Sequence, residues 1–280
     1  MKTKLLSLSF AAATALIVLL RIVEMIYFID SSTGFYYTGF APFAWITFFF
    51  LLLFAVLIFV LVHLDKPKYK GAGELHLPNL LGAILCLAGF FCDLVVKLCS
   101  PNGTPPMQIF FSVLILVFFV ALVAYGIAGK AIMPILCFLP LPYWIYMLIT
   151  FFIEITDMAI ISENLYRMAA IILMLVCYTL LAKVICYVNL RKNARRLTVV
   201  GLTTAVIVGI THLSEYILIL FKKSYVLHYT ELPDMTLFIS AIYMVIFIFT
   251  LNSKNNTSKG PNQAVPLQKN NTPVVLQNGF

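Results

Sequence analysis

Charged residues are scarce in this chain of 280 residues, because Asp, Glu, Lys and Arg together make up only 11% of it. Soluble globular proteins carry about 25% of such residues. Apolar residues make up 62%, and the mean hydropathy is +1.01. This composition excludes a soluble enzyme, a disordered protein and a nucleic-acid-binding domain, and it predicts an integral membrane protein. The net charge of +8 must then be explained by where the charges lie.

Recognisable catalytic and cofactor motifs are also missing from the sequence. It has no Walker loop, no Gly-x-Ser-x-Gly elbow, no dinucleotide-binding fingerprint and no His-Glu-x-x-His pair. Its six cysteines form no Cys-x-x-Cys pair, and we expect them to be buried, reduced thiols. The sequence therefore predicts no cofactor and no metal centre.

Apolar stretches of the length that crosses a bilayer, about 20 residues, recur along the chain. They predict an all-α, polytopic membrane protein, with an eight-span domain at residues 1–254 and a flexible polar cytoplasmic tail at residues 255–280. Pro134, Pro140 and Pro142 predict that the fifth span begins late or is kinked. The eight predicted transmembrane helices cover residues 5–28, 43–63, 79–99, 108–128, 135–156, 167–188, 198–221 and 235–252.

Lysine and arginine predict the orientation of these helices, since such residues are enriched in cytoplasmic loops. With the N-terminus inside, thirteen of the 19 lie on the cytoplasmic side and only Arg167, Lys222 and Lys223 lie outside. We therefore expect both termini to be cytoplasmic in a multi-pass protein of the cell membrane, the cytoplasmic membrane of a bacterium. Two basic clusters should contact anionic lipid headgroups. They are Lys66, Lys68 and Lys70, and Arg191, Lys192, Arg195 and Arg196.

Acidic residues recur near the outer ends of the odd-numbered spans. Glu24, Asp93, Glu154 and Glu215 are separated by 69, 61 and 61 residues. This spacing favours four helical hairpins in parallel repetition, and internal repeats of this kind form binding sites between them in membrane carriers. The alternative is that any regular eight-span protein shows similar spacing.

Charges inside spans are costly, at about 2.5–3.5 kcal/mol each on insertion scales. A partner three or four residues away on the same helical face can neutralise such a charge. This local compensation is the simple structural interpretation and needs no substrate. Three pairs have that spacing: Arg21 with Glu24, Asp93 with Lys97, and His212 with Glu215.

The fifth span differs, because Glu154 and Asp157 are both acidic and no cation in that span compensates them. Two neighbouring carboxylates recruit a proton or a cation, unless Asp157 already lies outside in water. The predicted substrate- or cation-binding residues are Glu154, Asp157, Asp93, Glu215, His212, Glu24 and Arg21.

Two short stretches resemble the lysoplasmalogenase-type membrane hydrolases. One is Gly89-Phe90-Phe91-Cys92-Asp93; the other is Thr156-Asp157, followed later by Tyr178-Thr179-Leu180-Leu181-Ala182-Lys183. Together they cover about a quarter of the chain, and Cys92, Thr156 and Lys183 depart from the family pattern. The resemblance implies that Asp93 and Asp157 act as acid and base when water attacks a lipid ether or ester.

Three functional hypotheses follow. The first is a small transporter or solute-binding membrane protein, in which an acidic, outward-facing cavity holds a proton or a small cationic solute. It predicts that Glu154, Asp157, Asp93, Glu215 and His212 converge on one cavity. The second is the lipid hydrolase. The third is a non-catalytic assembly or sensor subunit with a membrane partner subunit, and it predicts paired charges and an apolar lateral surface.

Overall fold

The chain is described by a computed structural model at residues 2–29, 36–37, 42–64, 77–99, 105–128, 134–156, 162–186, 188–220 and 235–257. These residues are almost entirely helical, and an isolated bridge joins Ile29 to Tyr36. The α-helices are α1 (Lys2–Tyr27), α2 (Pro42–Leu64), α3 (Leu77–Leu98), α4 (Pro106–Ala128), α5 (Pro140–Thr156), α6 (Ser162–Ile185), α7 (Leu190–Val208), α8 (Ser214–Leu220) and α9 (Met235–Thr257).

Seven helical segments of the described chain are long and apolar enough to cross a membrane. The seventh, Leu190–Leu220, contains α7, a π-helical segment at Gly209–Leu213, and α8. The stretch predicted as the eighth span is α9, and its described apolar part, Met235–Leu251, is shorter than the other seven. The predicted all-α membrane class is therefore confirmed, while the count of eight remains a prediction.

The start of the fifth span follows the proline pattern. A 3-10 helix at Pro134–Phe138 comes first, and α5 begins only at Pro140. Proline suits the first turn of a helix because its missing N–H would have no intrahelical acceptor there. The proline-rich stretch therefore delays the helix, as predicted.

The seventh span begins earlier than predicted, at Leu190 rather than at residue 198. Hydropathy is low over Arg191–Arg196, yet arginine and lysine are good helix formers, so the helix extends through them. Just before it, Asn189 adopts a left-handed conformation with φ of 43°, which asparagine tolerates. The side chain of Asn193 donates a hydrogen bond of 2.6 Å to the carbonyl of Val188. The basic cluster expected in a loop thus lies on the first turns of α7.

Small residues allow α3 and α9 to approach each other closely. A Cβ atom added to Gly82 would lie 2.8 Å from a methyl group of Ile246, and one added to Gly89 would lie 2.9 Å from a methyl group of Ile239. Close approach at glycine is a common basis of helix association in membranes, where burial of apolar groups gives little driving force. The seven-residue spacing of the two glycines places both on the face that meets α9.

Aromatic residues fill the core between α4, α5, α6 and α9. Trp144 and Tyr178 stack with their ring centroids 5.8 Å apart, and the Tyr178 hydroxyl donates to Ser240 Oγ at 3.1 Å. Tyr243 of α9 meets Phe119 of α4 edge to face. All six cysteines are free, as expected, but the prediction that all are buried is wrong, because Cys92 and Cys99 are exposed. The core is thus packed by large rings, and the hydroxyl of Tyr178 is satisfied inside it.

Candidate functional site

The first polar cluster is built on the C-terminal half of α1. Arg21 and Glu24 lie three residues apart and are almost completely buried, and Arg21 Nη1 donates to Glu24 Oε2 at 2.9 Å. The i,i+3 spacing places both side chains on one helical face. The predicted ion pair is therefore present in the structure.

Other elements add polar groups to this pair. The Tyr36 hydroxyl, from the segment after α1, donates to Glu24 Oε1, and Thr47 Oγ1 of α2 donates to Glu24 Oε2 at 3.1 Å. The guanidinium carbon of Arg21 lies 5.4 Å from the centre of the Tyr166 ring on α6, within the range of a cation–π contact. We call this set the α1 cluster: Arg21, Glu24, Tyr36, Thr47 and Tyr166. It joins three helices and satisfies both buried charges.

A second cluster lies between α3, α5 and α9. Lys97 Nζ donates to Asp93 Oδ2 at 2.7 Å and to Thr236 Oγ1 at 3.0 Å. Thr236 Oγ1 in turn donates to the same Asp93 oxygen at 2.6 Å. Lys97 Nζ also lies 5.7 Å from the centre of the Tyr143 ring. This α3 cluster neutralises Asp93, which the hydrolase hypothesis requires as an acid or base.

His212 is a buried titratable group whose hydrogen bonding is incomplete among the described residues. Its side chain is 0% exposed, and neither ring nitrogen has a hydrogen-bond partner within the described part of the chain. Glu215 Oε2 lies 3.7 Å from Nδ1, beyond the length of a hydrogen bond. The Glu215 side chain is 21% exposed, so this pair reaches partly toward the outside of the protein.

The backbone at His212 is a π-helical segment, Gly209–Leu213. The N–H of Ser214 bonds to the carbonyl of Gly209, which is the i to i−5 pattern of a π-helix. The hydroxyls of Thr211 and Ser214 donate to carbonyl oxygens one turn earlier, at Ile207 and Ile210. Such π-bulges occur often at functional sites. The change in helical pitch also sets the face on which His212 projects.

The candidate residues do not all meet in the described structure. Glu154 lies in the last turn of α5. Its side chain and the whole of Asp157 are outside the part of the chain that the structure describes. Glu24 and Asp93 belong to separate clusters that share no residue. The π segment contacts α1 and α6, the helices that carry Arg21 and Tyr166. Convergence on a single cavity therefore remains a prediction.

Several polar partners were missed by the sequence reasoning, because they come from distant parts of the chain. Thr47 and Thr236 resemble ordinary span residues, and Tyr36 is indistinguishable in sequence from an interfacial tyrosine. Nothing in their local pattern links them to Glu24 or Asp93. No group of three or more His, Cys, Asp or Glu side chains suited to holding a metal ion occurs among the residues described.

The fold and these buried polar groups define a class: an all-helical, multi-pass membrane protein with ionisable residues inside its helical bundle. No protein-family model, curated protein sequence or solved structure matches this chain.

Proposed function

We propose that this chain is a solute-binding membrane protein that holds a proton or a small cationic solute at His212 and Glu215. The observation that carries the proposal is the fully buried imidazole of His212, whose two nitrogens have no hydrogen-bond partner in the described chain. Leaving a buried polar group unsatisfied costs about 1–3 kcal/mol. A ligand that supplies the missing hydrogen bond would offset that cost.

The chemistry of the pair favours a cationic N–H donor. A neutral imidazole offers one acceptor nitrogen, and a carboxylate offers two acceptor oxygens. An ammonium group placed between His212 and Glu215 would donate to both, and its charge would be balanced by the carboxylate. A proton would instead be taken up by the imidazole itself, facing Glu215.

The other two buried ion pairs of the described chain are satisfied within their own clusters. Arg21 pairs with Glu24 and Lys97 pairs with Asp93, and both carboxylates accept a further hydrogen bond from a threonine. These two clusters are neutral overall and serve as structural links between helices. They equally suit the assembly or sensor subunit, and the His212 pair is what favours a ligand-binding protein over it.

We also propose the finer topology: eight spans in four hairpins, with both termini in the cytoplasm. Antiparallel contacts between consecutive helices support it, such as Thr47 at the start of α2 with Glu24 at the end of α1. Trp144 near the start of α5 likewise stacks on Tyr178 in the second half of α6. In this topology, Glu215 faces the outer side of the cell membrane.

The proposal is tested by thermal unfolding of the purified protein with ammonium, ethylamine or a short diamine, over a series of pH values. We expect at least one amine to raise the melting temperature of the wild type, but not that of His212→Gln or Glu215→Gln. A ligand at a hundredfold its Kd stabilises by about 2.7 kcal/mol. That corresponds to several degrees, at about 2–4 °C per kcal/mol.

His63→Gln is the matched control, because His63 is an exposed histidine on α2, away from the π segment. It should respond to each amine as the wild type does. If the proton is the ligand, the wild type and His212→Gln differ in how stability changes with pH. The contacting helices carry further charged and titratable groups, among them Arg21, Glu24, Tyr166 and Arg167, and all of these are present in both proteins. Identical responses of wild type and His212→Gln to amines and to pH would refute the proposal.

A further inference from the structure

A pocket with a volume of about 760 Å³ opens between the C-terminal end of α2 and the N-terminal half of α7. Four cationic side chains line it on the α7 side, and no acidic residue lines it among the residues described. The four lie at positions i, i+1, i+4 and i+5 of one helix, which places them on neighbouring faces. They are Arg191, Lys192, Arg195 and Arg196.

Unlike the buried charges of the bundle, these four cations have no counter-ion among the described residues. The ion pairs found in the described chain are Arg21–Glu24, Lys97–Asp93 and His212–Glu215, and none involves the four residues of the pocket. The Nε of Arg195 is buried and has no described hydrogen-bond partner. The pocket therefore presents concentrated positive charge and an unused donor, which together suit an anion with several oxygens.

The pocket also has an apolar lining. Phe59 of α2 and Val199 and Val200 of α7 line it in addition to the cations. Val56, three residues before Phe59 on the same face of α2, is also exposed, so the apolar lining continues along the surface of that helix. A ligand with a charged oxygen-rich head and an adjoining hydrocarbon chain matches this arrangement.

We propose that this pocket binds the phosphate headgroup of an anionic phospholipid, with one acyl chain lying along Phe59 and the exposed face of α2. The phosphate oxygens accept hydrogen bonds from Arg191, Arg195 and Arg196. The first turn of α7 adds the positive end of its helix dipole to the same region. This site is independent of the His212 pair. The sequence predicts only that the basic cluster is attracted to anionic headgroups in general, whereas the pocket specifies where one lipid would bind.

The test uses the full-length protein in nanodiscs of phosphatidylcholine with a minor fraction of phosphatidylglycerol, and native mass spectrometry counts the phosphatidylglycerol molecules retained. Arg196→Gln is compared with Lys183→Gln. Both remove an exposed cation from a helix, but Lys183 lies on α6 and does not line the pocket. We expect phosphatidylglycerol affinity to fall about fivefold for each pocket charge removed, with Arg191→Gln/Arg196→Gln falling furthest. Lys183→Gln should retain the lipid as the wild type does.

Inorganic phosphate at millimolar concentration separates a lipid ligand from a soluble one. We expect it to leave the retained phosphatidylglycerol unchanged. Displacement of the lipid by phosphate would overturn the proposal in favour of a soluble phosphate compound. Two further outcomes would overturn the proposal. The first is that wild type, Arg196→Gln and the double variant retain phosphatidylglycerol equally. The second is that the wild type retains phosphatidylcholine and phosphatidylglycerol equally.

Discussion

At the scale of single residues, each buried carboxylate is held by two kinds of partner. One is the cation on its own helix, and the others are hydroxyl groups from distant parts of the chain. Glu24 accepts hydrogen bonds from Arg21, Tyr36 and Thr47, and these come from α1, the following segment and α2. A buried ion pair gains stability only when its remaining lone pairs are satisfied, because each charge loses its hydration. The two additional hydroxyls provide that satisfaction for the carboxylate of Glu24.

Replacing Glu24 alone is expected to destabilise the protein strongly. Glu24→Gln leaves the guanidinium of Arg21 buried without a counter-ion, and breaking a buried pair in this way costs about 3–5 kcal/mol. The measurement is thermal or denaturant unfolding of the purified variant in detergent. The double variant Arg21→Met/Glu24→Gln removes both charges, and it should recover much of the loss. A double variant as unstable as the single one would show that the two charges are not coupled.

The spacing of charges in the sequence correctly predicted which residues pair within a helix. Arg21 with Glu24, and Asp93 with Lys97, follow directly from i,i+3 and i,i+4 geometry. The sequence could not show the threonines and tyrosines that complete each cluster, because those contacts depend on which helices become neighbours. The incomplete hydrogen bonding of His212 was hidden for the same reason.

At the scale of secondary-structure elements, the segment Leu190–Leu220 combines features that hydropathy alone does not separate. Its first turns carry the basic pocket residues, its middle packs on α9, and its π segment carries His212. Hydropathy located the apolar part, but the polar first turns fell outside the predicted span. A π-bulge has no strong sequence signature, so the register change was not predictable.

Two glycines of this segment should respond differently to the same substitution. A Cβ at Gly201 would lie 2.5 Å from Cδ1 of Ile248, which is fully buried, so Gly201→Ala forces that side chain to move. Overpacking of this kind costs about 1–3 kcal/mol. A Cβ at Gly209 would lie 3.5 Å from Val18 Cγ2, an ordinary contact. Gly209→Ala is therefore the control, and we expect it to leave stability unchanged or raise it slightly.

The comparison is made by the thermal unfolding midpoint of both variants beside the wild type. Only the Gly201 variant should unfold at a lower temperature. A loss of equal size in both would mean that the segment Leu190–Leu220 is sensitive to any added methyl group. It would then contradict a specific close contact between α7 and α9.

At the scale of the whole molecule, charge is separated along the bundle. Val18 of α1 lies against Gly209 of the π segment, and Met25 packs with Leu218, so α1 and the seventh span run parallel. The basic first turns of α7 and the Glu24 end of α1 are therefore at opposite ends of the bundle. The positive-inside bias predicts this polarity from sequence alone. What sequence could not decide is whether the last helix completes the membrane crossing.

The position of the C-terminus decides between seven and eight spans. The helix α9 has 23 residues, a length of about 34 Å at 1.5 Å per residue, and the hydrocarbon core is about 30 Å thick. Its apolar part, Met235–Leu251, is shorter than that core, and local thinning of the bilayer accommodates such a mismatch at modest cost. We therefore expect α9 to cross the membrane and to return the chain to the cytoplasm.

Reporter fusions measure this directly. A fluorescent reporter that folds only in the cytoplasm, and alkaline phosphatase, which is active only outside, are fused after Phe280 and, in a matched pair, after Lys223. Fusions after Phe280 should be fluorescent and inactive as phosphatase, because eight crossings return the chain to the side of the N-terminus. Fusions after Lys223, which end before α9, should show the reverse. Phosphatase activity after Phe280 would mean that α9 does not cross, and the seven apolar segments would then be the complete set of spans.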